Sequence, residues 1–177
     1  APDYILCDEA VHDDLVSALQ KNIAQFFSGG IDAATKDYCS IANEHHFNRL
    51  QDALRDAVSG GAEIVCGGET SQNGLYFSPA VLTGVSYENP IMQEEIFGPI
   101  LPIVKVKNLE ESIGYVNSNE KPLALYLFSN KSSVHKLVLE NTSSGGMVIN
   151  DCVLHHMNPN LPFGGINNSG VGSYHGK

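Results

Sequence analysis

The chain has 177 residues, of which 42% are hydrophobic and 17% charged, a composition typical of a folded globular protein rather than a disordered segment. Aspartate and glutamate number 20 against 10 lysines and arginines. The resulting net charge of -10 argues against nucleic acid or an anionic membrane surface as a partner, because both attract clustered basic side chains. The apolar stretches are also far shorter than the roughly 20 residues of a transmembrane helix.

The four cysteines are scattered and form no C-x-x-C pair; they are Cys7, Cys39, Cys66 and Cys152. Their spacing favours free thiols in a reducing cytoplasm and predicts no metal site. The sequence begins at Ala1 without an initiator methionine, so we expect a piece of a longer protein.

Two amphipathic helices are predicted in the first third of the chain. Asp8 can cap a helix that ends at residues 28–30, and its apolar positions recur every three or four residues: Val11, Leu15, Ala18, Leu19, Ile23 and Phe26. A second helix should start near Asn43 and end at Gly60-Gly61. The side chains that we expect this helix to bury are Phe47, Leu50, Leu54, Ala57 and Val58.

Short strands and a hairpin turn should follow the second helix. A strand is predicted at Glu63–Cys66. Asn73-Gly74 is a strong hairpin signal, with residues 76–77 and 80–82 expected to flank the turn. Pro79 argues that this part of the sheet is an edge or an irregular strand.

The remaining elements alternate between strand and helix. Strands are predicted at Ile100–Val106, at residues 123–128 and at residues 147–149. Asn108, with Glu111 three positions later, predicts a helix to about Asn117, and Asn130 should cap another helix through Leu139. This alternation predicts an α/β fold with an open, mostly parallel sheet flanked by helices. From Asn150 onward the periodicity disappears, and we divide the chain into an α/β domain at residues 1–157 and a Gly/Pro-rich segment at residues 158–177.

Residues 93–99 combine chemistry-bearing side chains with a chain break. Glu94 and Glu95 precede Phe97, and Gly98-Pro99 leads into a predicted buried strand. Loops at strand ends bind ligands in α/β proteins. A carboxylate there can accept two hydrogen bonds from a ribose diol, and a ring can pack against a flat nicotinamide. The alternative is a solvated acidic turn with Phe97 as a core plug.

Residues 161–172 are the second unusual segment, since five of these twelve residues are glycine or proline. Such density suits backbone that passes close to a ligand or another chain. The glycine spacing matches no phosphate-binding loop. An ordinary surface loop is the alternative.

Together the motifs resemble the aldehyde dehydrogenase superfamily, and within it the class 3 and fatty-aldehyde branch. They follow one another in the order of that branch over the whole chain: residues 1–4, 94–99, 144–146, 150–151, 155, 162–165 and 169–177. In that family a cysteine thiolate attacks the aldehyde, a nicotinamide cofactor is reduced, and a glutamate-activated water hydrolyses the resulting thioester.

The resemblance implies roles for particular residues. Glu95 would hold the nicotinamide-ribose hydroxyls, and Phe97 would pack beside the nicotinamide ring of NAD or NADP. Residues expected to line or support the substrate funnel are Asn150, His155, Pro162, Phe163, Gly164 and Gly165. Residues 1–157 would be part of the catalytic domain, with residues 158–177 packing on the active site or on a partner subunit.

The resemblance also implies parts that these residues do not include. The family pattern would place the nucleophile two positions before Ala1, with the general-base glutamate and the cofactor-binding domain further upstream. We therefore expect no catalytic residue in this chain and no activity from it alone. The implied partners are an aldehyde substrate, the N-terminal cofactor-binding domain and a second copy in a cytoplasmic homodimer. Some members carry a membrane anchor in a further C-terminal tail.

Two alternatives remain open. A non-catalytic structural or interaction module could keep the same fold. A related acyl-phosphate or acyl-CoA reductase would use the same thioester chemistry.

Overall fold

The computed structural model describes residues 2–27 and 38–176. The chain forms two compact units, one spanning Asp3–Lys107 and the other comprising Ala1–Pro2 with Asn108–Lys177. The division expected between residues 157 and 158 lies inside the second unit. The helix end expected at residues 28–30 lies outside the described residues.

The first unit is built on a four-stranded open sheet. In chain order its described strands are β1 (Ile5–Asp8), β2 (Glu63–Cys66), β3 (Thr70–Ser71), β4 (Tyr76–Phe77), β5 (Ala80–Thr83) and β6 (Ile100–Val106). The sheet order is β1-β6-β5-β2, with β6 parallel to both of its neighbours and β2 antiparallel to β5. The predicted bounds of β2 and β6 are confirmed.

One helix covers each face of this sheet. Helix α1 (His12–Phe26) contributes Leu15, Leu19 and Ile23 to the cluster around Val81 and Ile103. Helix α2 (Glu44–Ser59) buries its apolar side against the opposite face in a cluster that contains Phe47, Leu50, Leu54, Ala57, Leu82 and Val104. Adjacent strand residues point to opposite faces, so β5 and β6 are buried on both. The predicted α/β class, with a mostly parallel sheet flanked by helices, is confirmed.

The predicted caps Asp8 and Asn43 lie at the entries to α1 and α2. Asp8 accepts a hydrogen bond from the Ala10 amide at 2.9 Å in the 3-10 turn Glu9–Val11 that leads into α1. Asn43 accepts from the His46 amide at 2.9 Å and begins α2. The apolar faces predicted for α1 and α2 included too many residues, because Val11, Phe26 and Val58 are exposed.

The hairpin prediction was right about the turn and wrong about one strand. Asn73-Gly74 lies between β3 and β4, which pair antiparallel, and Gly74 has the positive φ of 81° that the turn requires. Residues 80–82 instead belong to β5, an internal strand of the main sheet. Pro79 precedes β5 and so lies outside its ladder, which removes the reason to expect an edge strand.

The second unit alternates helix and strand in the predicted order. It contains α3 (Leu109–Ser118), β7 (Ala124–Leu127), α4 (Ser132–Asn141), β8 (Gly146–Ile149) and α5 (Leu154–Met157), with β7 parallel to β8. Asn108 caps α3 by accepting from the Glu111 amide at 2.9 Å, as predicted. Asn130 does not cap α4: the helix starts after Lys131, whose amide donates to the Ser129 hydroxyl at 3.2 Å.

All four cysteines lie within the described residues, and each is a free thiol. Across residues 2–27 and 38–176, no three histidine, cysteine or acidic side chains are grouped so that they could hold a metal ion. None of the helices described in these ranges is long and apolar enough to cross a membrane.

Candidate functional site

The segment between Gln93 and Pro99 connects the 3-10 turn Pro90–Met92 to β6 and buries one of its residues. Ile96 is buried, with 3% of its surface exposed. Glu95 is exposed, and Phe97 is 77% exposed. The core plug of this segment is therefore Ile96, and the alternative in which Phe97 fills the core is wrong.

The backbone at Phe97 adopts a conformation that favours glycine. Its φ is +45°, in the left-handed region, although the residue carries a large aromatic side chain. Left-handed backbone costs a residue with a β-carbon about 1–2 kcal/mol, so the surrounding structure must hold it in place. Strain of this kind on an exposed ring points to a functional constraint on where the ring lies.

Two charged side chains bind the backbone of Ile96. The Ile96 amide donates to Oδ1 of Asp3 at 3.0 Å. The Ile96 carbonyl accepts from Nη2 of Arg49, on α2, at 2.5 Å. Asp3 thus holds the peptide group before the Ile96 α-carbon, and Arg49 holds the peptide group after it.

Burial raises the pKa of the Asp3 carboxyl, and repulsion from Glu95 adds to this effect. The hydrogen bond from Ile96 and the charge of Arg49 act in the opposite direction, since both favour the ionised form. The Asp3 carboxyl therefore lies among groups that shift its pKa in opposite directions, and burial has the largest effect.

Gly98 completes the attachment of the segment to α2. A β-carbon built at Gly98 would lie 2.3 Å from the nearest methyl carbon of Leu50, which is fully buried. Only glycine lets the backbone approach the helix this closely. Consecutive residues of α2, Arg49 and Leu50, therefore hold the segment on both sides of Phe97.

Glu95 and Phe97 are groups that could hold the nicotinamide end of a dinucleotide. A carboxylate can accept hydrogen bonds from two hydroxyls at once, and an exposed ring offers a flat apolar surface. The other candidate residues lie in the second unit.

Asn150 ties the ends of β7 and β8 together. Its side-chain oxygen accepts from the Ser129 amide at 2.8 Å, and its side-chain nitrogen donates to the Ser129 carbonyl at 3.0 Å. The backbone φ is +59°, a region that asparagine tolerates better than most residues. These contacts give Asn150 a supporting role in this unit.

The His155 ring is packed among other rings. Its centroid lies 5.2 Å from that of Phe163 and 6.0 Å from that of Tyr126. Neither ring nitrogen has a hydrogen-bond partner among the described residues. Burial lowers the pKa of His155, and the charge of His156 lowers it further, so the neutral ring is favoured.

His155 also borders an open, mostly apolar depression beside β8. A β-carbon at Gly146 would lie 2.7 Å from the His155 ring, so the strand can approach the ring only because residue 146 is glycine. The residues that line the depression are Met147, Val148, Ile149, Leu154, His155, Asn158 and Leu161.

The glycines of the C-terminal segment bring backbone close to backbone. Phe163 and Tyr174 pair as an antiparallel bridge, with amide-to-carbonyl distances of 3.0 and 2.8 Å. A β-carbon on Gly164 would lie 2.1 Å from the Gly172 carbonyl oxygen, and one on Gly165 would lie 2.2 Å from that of Ser169. The composition predicted backbone that passes close to a ligand or another chain. At these positions the backbone passes close to another part of the same segment. Pro162, at the start of this loop, is exposed.

The sequence did not single out three of the residues that hold these candidates: Asp3, Arg49 and Ser129. Asp3 lies in residues 1–4, one of the motifs that carry the family resemblance, but the motif predicts no role for it. Arg49 gave only a weak signal: it is a half-buried charged residue next in sequence to the buried Leu50, at the margin of the apolar side of α2. Ser129 gave none, since its contribution is made by backbone atoms.

Comparisons with known proteins agree with the motifs. The profile of the aldehyde dehydrogenase family matches residues 1–177. Over its whole length the chain is 46% identical to the dimeric NADP-preferring aldehyde dehydrogenase of Rattus norvegicus, covering 38% of that protein. It is also 46% identical to aldehyde dehydrogenase family 3 member A2 of the same species, covering 35%. The similarity to the class 3 and fatty-aldehyde branch is thus confirmed.

Solved structures show the same relationship. A substrate-bound structure of AldH from Staphylococcus aureus superimposes with a TM-score of 0.94 at 44% identity, over 99% of this chain and 38% of that one. The chain therefore spans a little over a third of the length of these relatives.

Proposed function

Because this chain belongs to the aldehyde dehydrogenase family, we propose that it forms the C-terminal part of the catalytic domain of an enzyme that oxidises aldehydes to carboxylic acids with NAD+ or NADP+. The observation that carries the proposal is the arrangement at residues 95–97. A carboxylate and a ring, two positions apart, both face outward from a backbone that is bound at the residue between them.

Glu95 accepts hydrogen bonds from the hydroxyls of the nicotinamide ribose, and Phe97 packs beside the nicotinamide ring. The bound nicotinamide supplies the acceptor for the two electrons that the aldehyde loses. The ring of Phe97 limits how far the cofactor can slide, because it projects from a segment whose backbone is hydrogen-bonded at the preceding residue, Ile96.

The nucleophilic cysteine and the general-base glutamate come from sequence upstream of these residues in the full-length protein. The 177 residues alone are accordingly inactive as a dehydrogenase. The supporting observation is that the chain covers only 38% and 35% of the length of the two rat relatives.

Residues of the second unit support the substrate funnel. Asn150 fixes the ends of β7 and β8, and the His155 ring packs against Phe163 in the loop that contains Pro162, Gly164 and Gly165. Residues 158–177 pack on the active site or on a partner subunit of a cytoplasmic homodimer. The description of the rat relative as dimeric supports the second subunit.

The test compares two neighbouring carboxylates in the full-length protein. Glu95→Gln removes a charged acceptor, and we expect a loss of roughly ten- to a hundredfold in kcat/KM for NAD(P)+. Glu94→Gln is the matched control, since Glu94 is also exposed and stands one position earlier. Its effect should stay within about twofold, as for a surface change.

Cofactor affinity is measured for NAD+ and NADP+ separately, and activity is measured with aliphatic and aromatic aldehydes. If Glu95→Gln matches the Glu94→Gln control in both affinity and rate, Glu95 does not bind the cofactor. If the full-length protein oxidises no aldehyde with either cofactor, the non-catalytic module is favoured instead.

A further inference from the structure

A single residue, Ile96, receives hydrogen bonds from two distant parts of the first unit. Asp3 precedes it by 93 positions and binds its amide. Arg49 precedes it by 47 positions and binds its carbonyl. Because the two bonds hold the peptide groups before and after the Ile96 α-carbon, they restrict both of its backbone dihedral angles.

The two bonds involve charged groups that are partly buried. Charge-assisted hydrogen bonds to backbone groups are stronger than neutral ones, while withdrawing charge from water is unfavourable. Asp3 and Arg49 do not form a close ion pair with each other. Each binds the backbone of Ile96 instead. The positions of Asp3 and Arg49 are best explained by the hydrogen bonds with which they fix the backbone of Ile96.

Small rotations at Ile96 have large effects on its neighbours. Glu95 and Phe97 are attached directly to the two fixed peptide groups, and both project outward. A change of about 20° in a backbone angle displaces the end of a neighbouring side chain by roughly 1 Å or more. Misplacement of about 1 Å in a reactive geometry can reduce a rate a hundredfold.

Resting on the function proposed above, we propose that Asp3 and Arg49 are positioning residues that orient Glu95 and Phe97 toward the cofactor by binding the amide and the carbonyl of Ile96. Asp3 also lies in the segment that the family pattern places just after the nucleophile. The same hydrogen bond therefore joins Asp3 directly to the segment at residues 93–99.

The test uses the full-length protein with Asp3→Ala and Arg49→Met. Each variant should weaken NAD(P)+ binding, measured by calorimetry, about tenfold, because Glu95 and Phe97 are no longer held in position before the cofactor binds. Hydrogen exchange at the Ile96 and Phe97 amides, followed without cofactor, should become faster. Asp3→Asn should restore most of the affinity, because the amide oxygen can still accept from Ile96.

The controls are Arg55→Met and Asp14→Asn. Arg55 lies on α2 like Arg49 but forms ion pairs with Asp52 and Asp56 at the surface, and Asp14 is an exposed acid on α1. Both controls should leave cofactor affinity and exchange at Ile96 unchanged.

Double variants separate positioning from a merely structural role. If Asp3 acts through Glu95, then adding Asp3→Ala to Glu95→Gln should weaken binding by less than the product of the single effects. Fully multiplicative effects, or normal affinity in Arg49→Met, would overturn the positioning role. If Asp3→Ala fails to fold, Arg49→Met decides, and failure of both to fold would show a folding role and overturn it too.

The result of Glu95→Gln tells this inference apart from the proposed function. An unchanged Glu95→Gln variant overturns the proposed function itself. A weakened Glu95→Gln variant beside unaffected Asp3→Ala and Arg49→Met variants overturns only the positioning role.

Discussion

The Leu50 side chain fills the space that a β-carbon on Gly98 would need, with its nearest methyl carbon 2.3 Å from that position. Leu50 is fully buried among other core side chains, so it has no free volume into which it could withdraw. The absence of a side chain at residue 98 therefore sets how closely the segment at residues 93–99 approaches α2.

Gly98→Ala should destabilise the protein because the added methyl group overpacks the core against Leu50. We expect the free energy of unfolding to fall by about 1–3 kcal/mol, measured by urea denaturation of the full-length protein. Gly114→Ala is the control: no atom lies within 4 Å of a β-carbon there, and the residue is inside α3. That change should be neutral or stabilising by about 0.5–1 kcal/mol. A stable Gly98→Ala variant would contradict the close packing.

Substitutions at Asn150 should separate backbone strain from hydrogen bonding. Asn150→Gly loses both bonds to Ser129 but accepts the positive φ of 59° easily. Asn150→Ala loses the same bonds and must also bear the left-handed backbone, so it should be less stable than the glycine variant by about 1 kcal/mol. Urea denaturation of both variants measures the difference. Equal stability would show that Asn150 does not hold this conformation in solution.

Ser78 should contribute stability that depends on pH through Glu69. The buried Ser78 hydroxyl donates to Oε2 of Glu69 at 2.6 Å and accepts from its amide at 2.9 Å. The bond from Ser78 lowers the pKa of Glu69 below the usual 4.5. The contribution is therefore complete above pH 4.5 and is lost as the pH falls through the lowered value.

Ser78→Ala should accordingly reduce the free energy of unfolding at pH 7 by about 1–2 kcal/mol. The difference from the unmodified protein should narrow at acid pH, because protonated Glu69 gains less from the bond. Ser71→Ala is the control, because it removes a serine hydroxyl in β3 that donates to the Asn73 carbonyl rather than to a carboxylate. A difference that stays constant with pH would show that the hydroxyl does not interact with the carboxylate.

The half-buried ring of His155, whose two nitrogens are buried without hydrogen-bond partners in the described part of the chain, should make the protein less stable in mild acid. Its pKa is lowered mainly by burial, so below the usual value of 6.5 the unfolded chain binds more protons than the folded one. The free energy of unfolding should then fall as the pH drops from 6.5 toward the lowered pKa.

His155→Leu keeps an apolar side chain of similar size and should flatten this dependence, as measured by urea denaturation at several pH values. Tyr126→Phe is the control, since it alters a ring next to His155 but removes no group that titrates near pH 6.5. An unchanged slope in His155→Leu would mean that the ring is protonated as readily in the folded protein as in the unfolded chain.

The parts of the fold that follow from local chemistry could be predicted from the sequence. The caps at Asn43 and Asn108 and the bounds of β2 and β6 depend on a few neighbouring residues, and the structure has them as expected. Strand pairing depends on distant residues, and this explains the error at residues 80–82. Their short apolar run fits a hairpin arm as well as an internal strand, and only the pairing with β2 and β6 decides between them.

The candidate site likewise contains residues that a local motif identified and residues that it did not. Glu95 and Phe97 could be named because an acid and a ring stand in a recognisable local motif. Asp3 and Arg49 could not be assigned to Ile96, since no local pattern indicates a bond across 93 or 47 positions. The burial of Ile96 rather than Phe97 was equally hidden, because both are large apolar residues in a segment without regular periodicity.

The pairing of β1 with β6 bears on how the protein is made. During synthesis, Ile5–Asp8 leaves the ribosome long before its neighbour Ile100–Val106 exists. Until then the apolar side chains of β1 can pack against α1, but the β1 backbone lacks its partner strand β6. Pairing between strands this far apart in sequence is non-local, so we expect a translational pause before β6 to prolong the aggregation-prone stage.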